Sequence, residues 1–235
     1  VELTEAGRRY FERCAPLVDG ARLAAEALRE AGTRPSGNLR ISMPVDFGVF
    51  VAAPLLADFA HLYPAINLEL DLSPKHSDLI GEHVDLAIRL GTVQEQHLVA
   101  RRIGWLERGL FASAEYLGLH KALTQPTDLV EHDCIVLGMR RHARWAMHRQ
   151  EESIEVAVRG RICVNNHGLA SALAERGLGI AALTPSLVRE SVRSGRLLPI
   201  LSEWSLPRLP VHAVTTSHLQ PAGVRALVDF LATRM

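Results

Sequence analysis

Cysteine is scarce. Cys14, Cys134 and Cys163 stand far apart with no C-x-x-C pair among them. An odd, dispersed set argues against a disulfide framework and for a reducing, cytoplasmic compartment. Net charge is lacking too. The 26 Lys and Arg residues balance 26 Asp and Glu, so no overall positive field draws the chain to nucleic acid, and DNA contact needs a local patch or residues outside this sequence. No long apolar run suits a membrane span, and no charged-then-apolar leader marks secretion. Catalytic signatures are missing as well. The histidines hold no H-E-x-x-H or comparable metal spacing, no serine sits in a G-x-S-x-G turn, and no glycine loop has phosphate-binding spacing. The chain is therefore expected not to be an enzyme, and to need no metal and no cofactor. What is there is ordinary for a soluble protein: 235 residues, 48% hydrophobic and 22% charged, enough for one large domain or two small ones.

The most informative stretch runs from Leu39 to Tyr63. Leu39, Ile41 and Met43 alternate with Arg40 and Ser42, and the apolar spacing then changes to Phe47, Val51, Leu55, Phe59 and Leu62. That change of period is a strand running into a helix. Pro44-Val45-Asp46 forms the turn between them. It delivers the free amides of a helix N-terminus to the carboxyl end of a strand, where open α/β sheets bind small molecules. Pro54 lies inside the helical pattern and either kinks it or marks the first turn of its longer half.

Before this stretch, Thr4 is a good helix N-cap with Glu5 in the first turn. Tyr10, Cys14, Leu17, Ala21, Ala24, Leu28 and Ala31 then form an a/d seam, the pattern of a helix that pairs with another helix. Pro16 and Gly20 predict a kink in it, and an amphipathic helix packed on its own domain is the alternative. Gly32 to Asn38 reads as a linker. Beyond Tyr63-Pro64, Ile66 to Leu72 alternates as a strand, Ser73 to His83 is a short helix, and Val84 to Ile88 is a strand apolar enough to be buried on both faces. Strand, helix, strand, helix, strand predicts a parallel sheet, with Val99 to Gly104 and Gly109 to Ser113 as further strands near its edge.

A second unit begins with a helix over Ala114 to Leu123 and a turn and cap at Gln125 to Leu129. Strands follow at Cys134 to Leu137, around Trp145, and over Ile154 to Val158, with a charged edge from Arg140 to His148. Asn165-Asn166-His167 opens a helix through Arg176, stopped by Gly177-Leu178-Gly179. Ile180 to Leu183 is a buried strand, and Thr184-Pro185 starts the next helix. Gly195 to Leu198 and Val211 to Thr216 begin two more strands, and Pro221 to Met235 is a closing helix with Val224, Leu227, Val228 and Leu231 on its apolar side. If that last strand and helix pack on the first unit, the chain crosses between units near Ser113 and Val214 and makes a hinge with a cleft.

Six segments, taken in order, resemble the LysR-type transcriptional regulators: LTEAGRRYF at Leu3 to Phe11, FAHLYPAINLELDL at Phe59 to Leu72, DLAIRLG at Asp85 to Gly91, LVARRIG at Leu98 to Gly104, ALAERGLGIAALTPSLV at Ala172 to Val188 and GRLLPIL at Gly195 to Leu201. The resemblance implies an α/β fold of two subdomains joined by a hinge of two crossing strands, periplasmic-binding-protein-like (type 2), behind an N-terminal linker helix. On that pattern residues 1–33 hold the end of a wing and the dimerisation helix. Residues 38–113 with 213–235 form subdomain I, and 114–212 form subdomain II. In the family LTEAG follows the wing of a winged helix-turn-helix, so DNA is expected to be reached only through a domain preceding these residues, with no membrane involved. Homodimers or homotetramers are implied, through the seam at Tyr10, Cys14, Leu17, Ala21, Ala24 and Leu28 and through the helix at Phe47 to Leu62 with the strand Ile66 to Leu72. A solute-binding protein of a transport system shares the two-unit fold and is the rival; it predicts a leader and no seam.

The resemblance also implies a small-molecule effector in the cleft between the units. Carried over residue by residue, its contacts are Ser42, Pro44, Val45, Asp46 and Phe47 from the first turn, Asn165, Asn166 and His167 from the second, and Arg89 and Thr184 at other strand ends. A small organic acid suits two opposed helix N-termini. Asp46 opposes this by charge repulsion, so either it caps the helix and points away or the effector is neutral or carries an amine. Asn166 reads equally as an N-cap, His167 as a solvent-facing helix start, and Arg89 as a surface partner of Asp85 or Glu82.

Overall fold

The computed structural model describes residues 4–7, 10, 11, 13, 14, 17, 18, 20, 35–72, 84–93, 95 and 98–235. The expected helix at Ser73 to His83 and the seam positions Ala21, Ala24 and Leu28 lie outside these. Near the start, the Gly7 amide donates to Thr4 Oγ1 at 3.2 Å, so Thr4 caps the first helix as its sequence position predicts. Tyr10 and Leu17 are each 72% exposed on it.

The chain forms two compact units, Val1–Gly48, Ala52–Gly104 and Pro210–Met235 against Val49–Val51 and Trp105–Leu209. Apart from the short segment Val49–Val51, the chain passes between them at Gly104–Trp105 and Leu209–Pro210.

In unit 1, β1 (Gly37–Ser42) lies between β2 (Ile66–Asp71) and β3 (Leu86–Leu90) and is parallel to both. The strand β11 (Leu209–Thr215) adds antiparallel to β3, and β4 (Val99–Leu106) completes the order β2-β1-β3-β11-β4. The sheet is thus mixed rather than parallel, because its fourth member returns from the end of the chain instead of through a local crossover.

Register divides the faces of β1. Asn38 sits opposite Asn67 and Arg40 opposite Glu69, bonded at 2.9 and 3.0 Å, so that face is polar. Leu39 and Ile41 turn the other way into the core. Above them lies the closing helix (Ala222–Ala232), with Val224, Leu227, Val228 and Leu231 buried as predicted.

The helix after β1 runs over Val45–Leu62 and contains a π-turn at Gly48–Ala52. This turn explains why the predicted stripe shifts. A π-turn holds one residue more than an α-turn, so after Phe47 the buried positions are Ala52, Leu56 and Phe59 rather than Val51 and Leu55. Pro54 has no N–H to give the ladder, so the regular α-helix restarts at Ala53–Leu62 with Pro54 in its first turn. By length and composition this 18-residue helix could cross a bilayer. Here Phe59 instead meets Phe230 of the closing helix edge-on at 5.4 Å, which makes it a core helix of unit 1.

Unit 2 holds a sheet of order β10-β5-β9-β6-β8-β7, made of β5 (Gly109–Ala112), β6 (Cys134–Leu137), β7 (His142–Arg149), β8 (Glu152–Val164), β9 (Ile180–Leu183) and β10 (Leu198–Ile200). The strand at Gly109 belongs here and not to the edge of the first sheet, since it pairs with β9 and β10. The strand expected around Trp145 is His142–Arg149, at the edge of this sheet. The continuous apolar runs of the central strands follow from cover on both faces. Leu110, Cys134, Val136, Ile180 and Ala182 enter one cluster with Tyr116 and Trp145; Phe111, Ile135, Ala181 and Leu183 enter the other with Ala170, Ala174 and Val188. The helix at Ala114–Leu119 is shorter than predicted; a 3-10 turn at Pro126–Glu131, boxed by Gln125 and Asp128, follows.

Candidate functional site

Two parallel strand ends, one in each unit, carry most of the residues expected to bind a ligand. In unit 1 the N-cap of the helix after β1 is Pro44, whose side chain has no donor or acceptor to cap the first turn. Asp46 stands in that first turn rather than at the cap, where a carboxylate favours the helix dipole. Ser42 is fully buried at the end of β1. Its register partners are Asp71 and Ala87, and paired positions share a face; Arg89, two residues further along β3, therefore lies on Ser42's side of the sheet, opposite His212. Pro44, Val45 and Asp46 are half-buried or exposed beside this end. Phe47 is buried, 2% exposed, among the core side chains below the turn.

In unit 2, β6 is parallel to both β8 and β9, so Leu137, Val164 and Leu183 finish at the same edge. Asn165, Asn166 and His167 follow β8, and Thr184 follows β9, so the structure brings these four to one end of the sheet. Asn166 is the N-cap of the helix His167–Glu175, its Oδ1 accepting from the Leu169 amide at 2.7 Å. Asn165 is exposed, His167 half-buried and Thr184 buried.

A residue that the sequence did not single out joins this end. β5 is antiparallel to β9, with Gly109 opposite Leu183, so the preceding Arg108 lies beside Thr184. Its Nε is buried without a hydrogen-bond partner among the described residues, and burial lowers its pKa from the ordinary arginine value, leaving it charged at neutral pH. In the sequence, Leu106-Glu107-Arg108-Gly109 looks like a solvated turn; only the antiparallel return of β5 gives Arg108 its place. His212 is the other residue missed, with Nδ1 buried and unpartnered opposite Arg89.

At the opposite end of the second sheet, Tyr116 Oη accepts from the Asp133 amide at 2.9 Å and lies 3.2 Å from His132 Nδ1. Burial pushes the Tyr116 hydroxyl up to about 12. Burial, aided by the charge of His120, lowers the pKa of His132 against the opposite pull of Asp128, Glu131 and Asp133. His132 is thus neutral in the folded protein, while the unfolded ring takes up a proton as pH falls below about 6.5. Stability is then lost as pH falls from the unfolded toward the lower folded pKa. Between pH 7 and 5 the urea midpoint of the wild type should fall more than that of His132→Gln, with a difference in slope of at most about 1.4 kcal/mol per pH unit. Parallel pH curves for the two proteins would refute this role.

Burial also pushes the Cys134 thiol up to about 12, so it carries no thiolate at neutral pH. Among the described residues no group of three or more His, Cys, Asp or Glu side chains is placed to hold a metal ion.

Residues 32–235 match the family of the LysR substrate binding domain. The HTH-type transcriptional regulator DmlR of Escherichia coli is 33% identical over 234 residues, spanning 98% of this chain and 76% of its own. The full-length structure of the Vibrio cholerae virulence activator AphB, a member of the LTTR protein family, is 28% identical with a TM-score of 0.70, covering 100% of this chain and 81% of that one. The regulatory domain of CrgA from Neisseria meningitidis is 27% identical with a TM-score of 0.72, covering 85% of this chain and 99% of its own.

Proposed function

This chain belongs to the LysR-type transcriptional regulators, as their effector-sensing substrate-binding domain, and from that membership we infer that it senses a small carboxylate through the strand-end turns just described. The observation that carries the chemistry is Arg108: a charged, partly desolvated guanidinium with no ion pair among the described residues, at the end of the sheet where Asn165, His167 and Thr184 gather. A guanidinium fork matches a carboxylate with two parallel hydrogen bonds. In unit 1 the turn after Pro44 carries Asp46, whose charge disfavours an anion there and suits a hydroxyl or amine. A carboxylate at Arg108, with a hydroxyl or amine toward Asn165 and Thr184 at the same end of this sheet, describes a small hydroxy or amino acid.

The likeness to regulators over the whole chain favours sensing over solute transport. Sensing without catalysis is part of the same proposal. Ligand binding shifts a conformational equilibrium by its differential affinity for the two states and by no more. Relay to a DNA-binding domain is proposed from the relatives, which are named HTH-type regulators.

A homodimer is the proposed assembly. On the helix Val45–Leu62, Val49, Phe50 and Leu62 are 52%, 45% and 55% exposed, and the edge strand β2 adds Leu70 at 47%. The exposed Tyr10 and Leu17 of the first helix suit a further contact between copies, which would build a tetramer.

A thermal-shift screen against small carboxylates, amino acids and neutral metabolites tests the sensing role, with Asp46→Ala alongside. Ligands that bind only the folded state stabilise it by about 2.7 kcal/mol at a hundred times Kd. A hydroxy or amino acid should raise the melting temperature, and Asp46→Ala should weaken amino acids relative to plain carboxylates. A broad library that shifts neither protein would refute the sensing role.

A further inference from the structure

We propose that unit 2 carries a second ligand site, a cleft for a small phosphate-bearing molecule in which Arg141, Arg159 and Arg161 converge on one cavity. The cavity holds about 360 Å³ and is walled also by His120, His132 and Asp133. That volume is in the range of small-ligand pockets. It lies where β6 begins, since Cys134 is opposite Gly160, whereas Arg108 and Thr184 lie where β9 finishes. The two sites are therefore at opposite ends of the sheet.

The backbone builds the cleft. In the pairing of β6 with β8, Cys134 faces Gly160 and Ile135 faces Ile162, so Arg161 is the extra residue of a β-bulge. Bulges re-aim a side chain that a regular strand would hold in step with its neighbours. Only glycine fits beside it: a Cβ on Gly160 would lie 2.7 Å from Val136 Cγ2 and 2.9 Å from the Ile162 carbonyl oxygen. The Gly160 amide donates to the Arg141 carbonyl at 2.7 Å, which fixes the third arginine across from the bulge. Behind the cleft, the Asp133 amide bonded to Tyr116 Oη makes a rigid wall.

The charges point to an anion. On the neighbouring hairpin Arg144 and Arg149 are paired with Glu155 and Glu152 at 2.6 and 2.7 Å. The side chains of Arg141, Arg159 and Arg161 make no hydrogen bond or ion pair among the described residues. Of the carboxylates at the cleft, Glu131 is already taken by Lys121, which leaves Asp133 against three guanidinium groups. In a chain with no net charge, this excess is local. Three forks around one cavity match the several oxygens of a phosphate better than the two of a single carboxylate.

Titration calorimetry of the intact protein with inorganic pyrophosphate at low ionic strength tests the site. Saturable one-site binding is expected, weakening as chloride is added. The double variant R159Q/R161Q should lose about 100-fold in affinity, as two charge-assisted contacts disappear. Both side chains are exposed, so the fold does not depend on them. Asp133→Asn should tighten binding by about threefold by removing the one repelling charge. Arg144→Gln, outside the cleft, and Arg108→Gln, at the other end of the sheet, should each bind as the wild type does. The proposal is overturned by the absence of saturable binding, by unchanged affinity in R159Q/R161Q, by weaker or unchanged binding in Asp133→Asn, or by loss of binding in Arg108→Gln. The last result would place the anion at the strand-end site instead.

Discussion

Arg108→Gln is expected to be more stable than the wild type without ligand and to respond to no carboxylate. The two effects have one cause. The guanidinium is partly stripped of water and has no counter-charge among the described residues, and such a charge destabilises the fold. Glutamine keeps much of the side-chain length without the charge. A carboxylate ligand supplies the missing partner, so its affinity rests on this residue. Losing a bidentate charge-assisted pair should cost about 3 kcal/mol, a factor of roughly 100 in Kd. Differential scanning calorimetry with and without the screened ligand reads both effects. An Arg108→Gln protein that melts lower than the wild type and still binds would show that the side chain serves packing rather than sensing. A gain in stability bought with loss of function is the usual signature of a binding site.

The second large effect concerns assembly. A Phe50→Glu/Leu62→Glu double variant should be monomeric at concentrations where the proposed wild-type dimer forms, with association weakened by about 100-fold or more. Both side chains stand half-exposed on the helix Val45–Leu62, so the substitution spares the buried face of Ala52, Leu56 and Phe59 that holds unit 1 together. The neighbouring strand β2 is the edge strand of its sheet, the position from which sheets are extended by a partner. A contact using helix and edge together can bury the roughly 1,200 to 2,000 Å² of a stable interface. Analytical ultracentrifugation decides it. If the variant sediments as the wild type does, the apolar face of this helix is not the dimer contact.

The sequence was most informative where one physical signal dominated. Alternation placed β1, period three to four placed the helices, and Gly177-Leu178-Gly179 stopped one where Gly177 takes a φ of 73°. It was least informative where a residue's position depends on a partner far along the chain. Phe47 looked like a pocket wall because it follows the turn; the packing above the sheet makes it core. The helix stripe slipped from Val51 to Ala52 because a π-turn ahead of Pro54 adds a residue that periodicity cannot count. The strand at Gly109 was joined to the wrong sheet, because strand pairing carries no local signature.

By itself the sequence determined the family, the alternation of strands and helices, and the turns after β1, β8 and β9, because each rests on residues near one another in the chain. The tertiary structure alone decided which strands are neighbours and in what register. That pairing sets Arg108 beside Thr184, His212 opposite Arg89, and Arg161 on a bulge next to Gly160, whose amide holds Arg141. A charge acquires a role only from the dielectric and the partners around it, and those are supplied by segments distant in sequence.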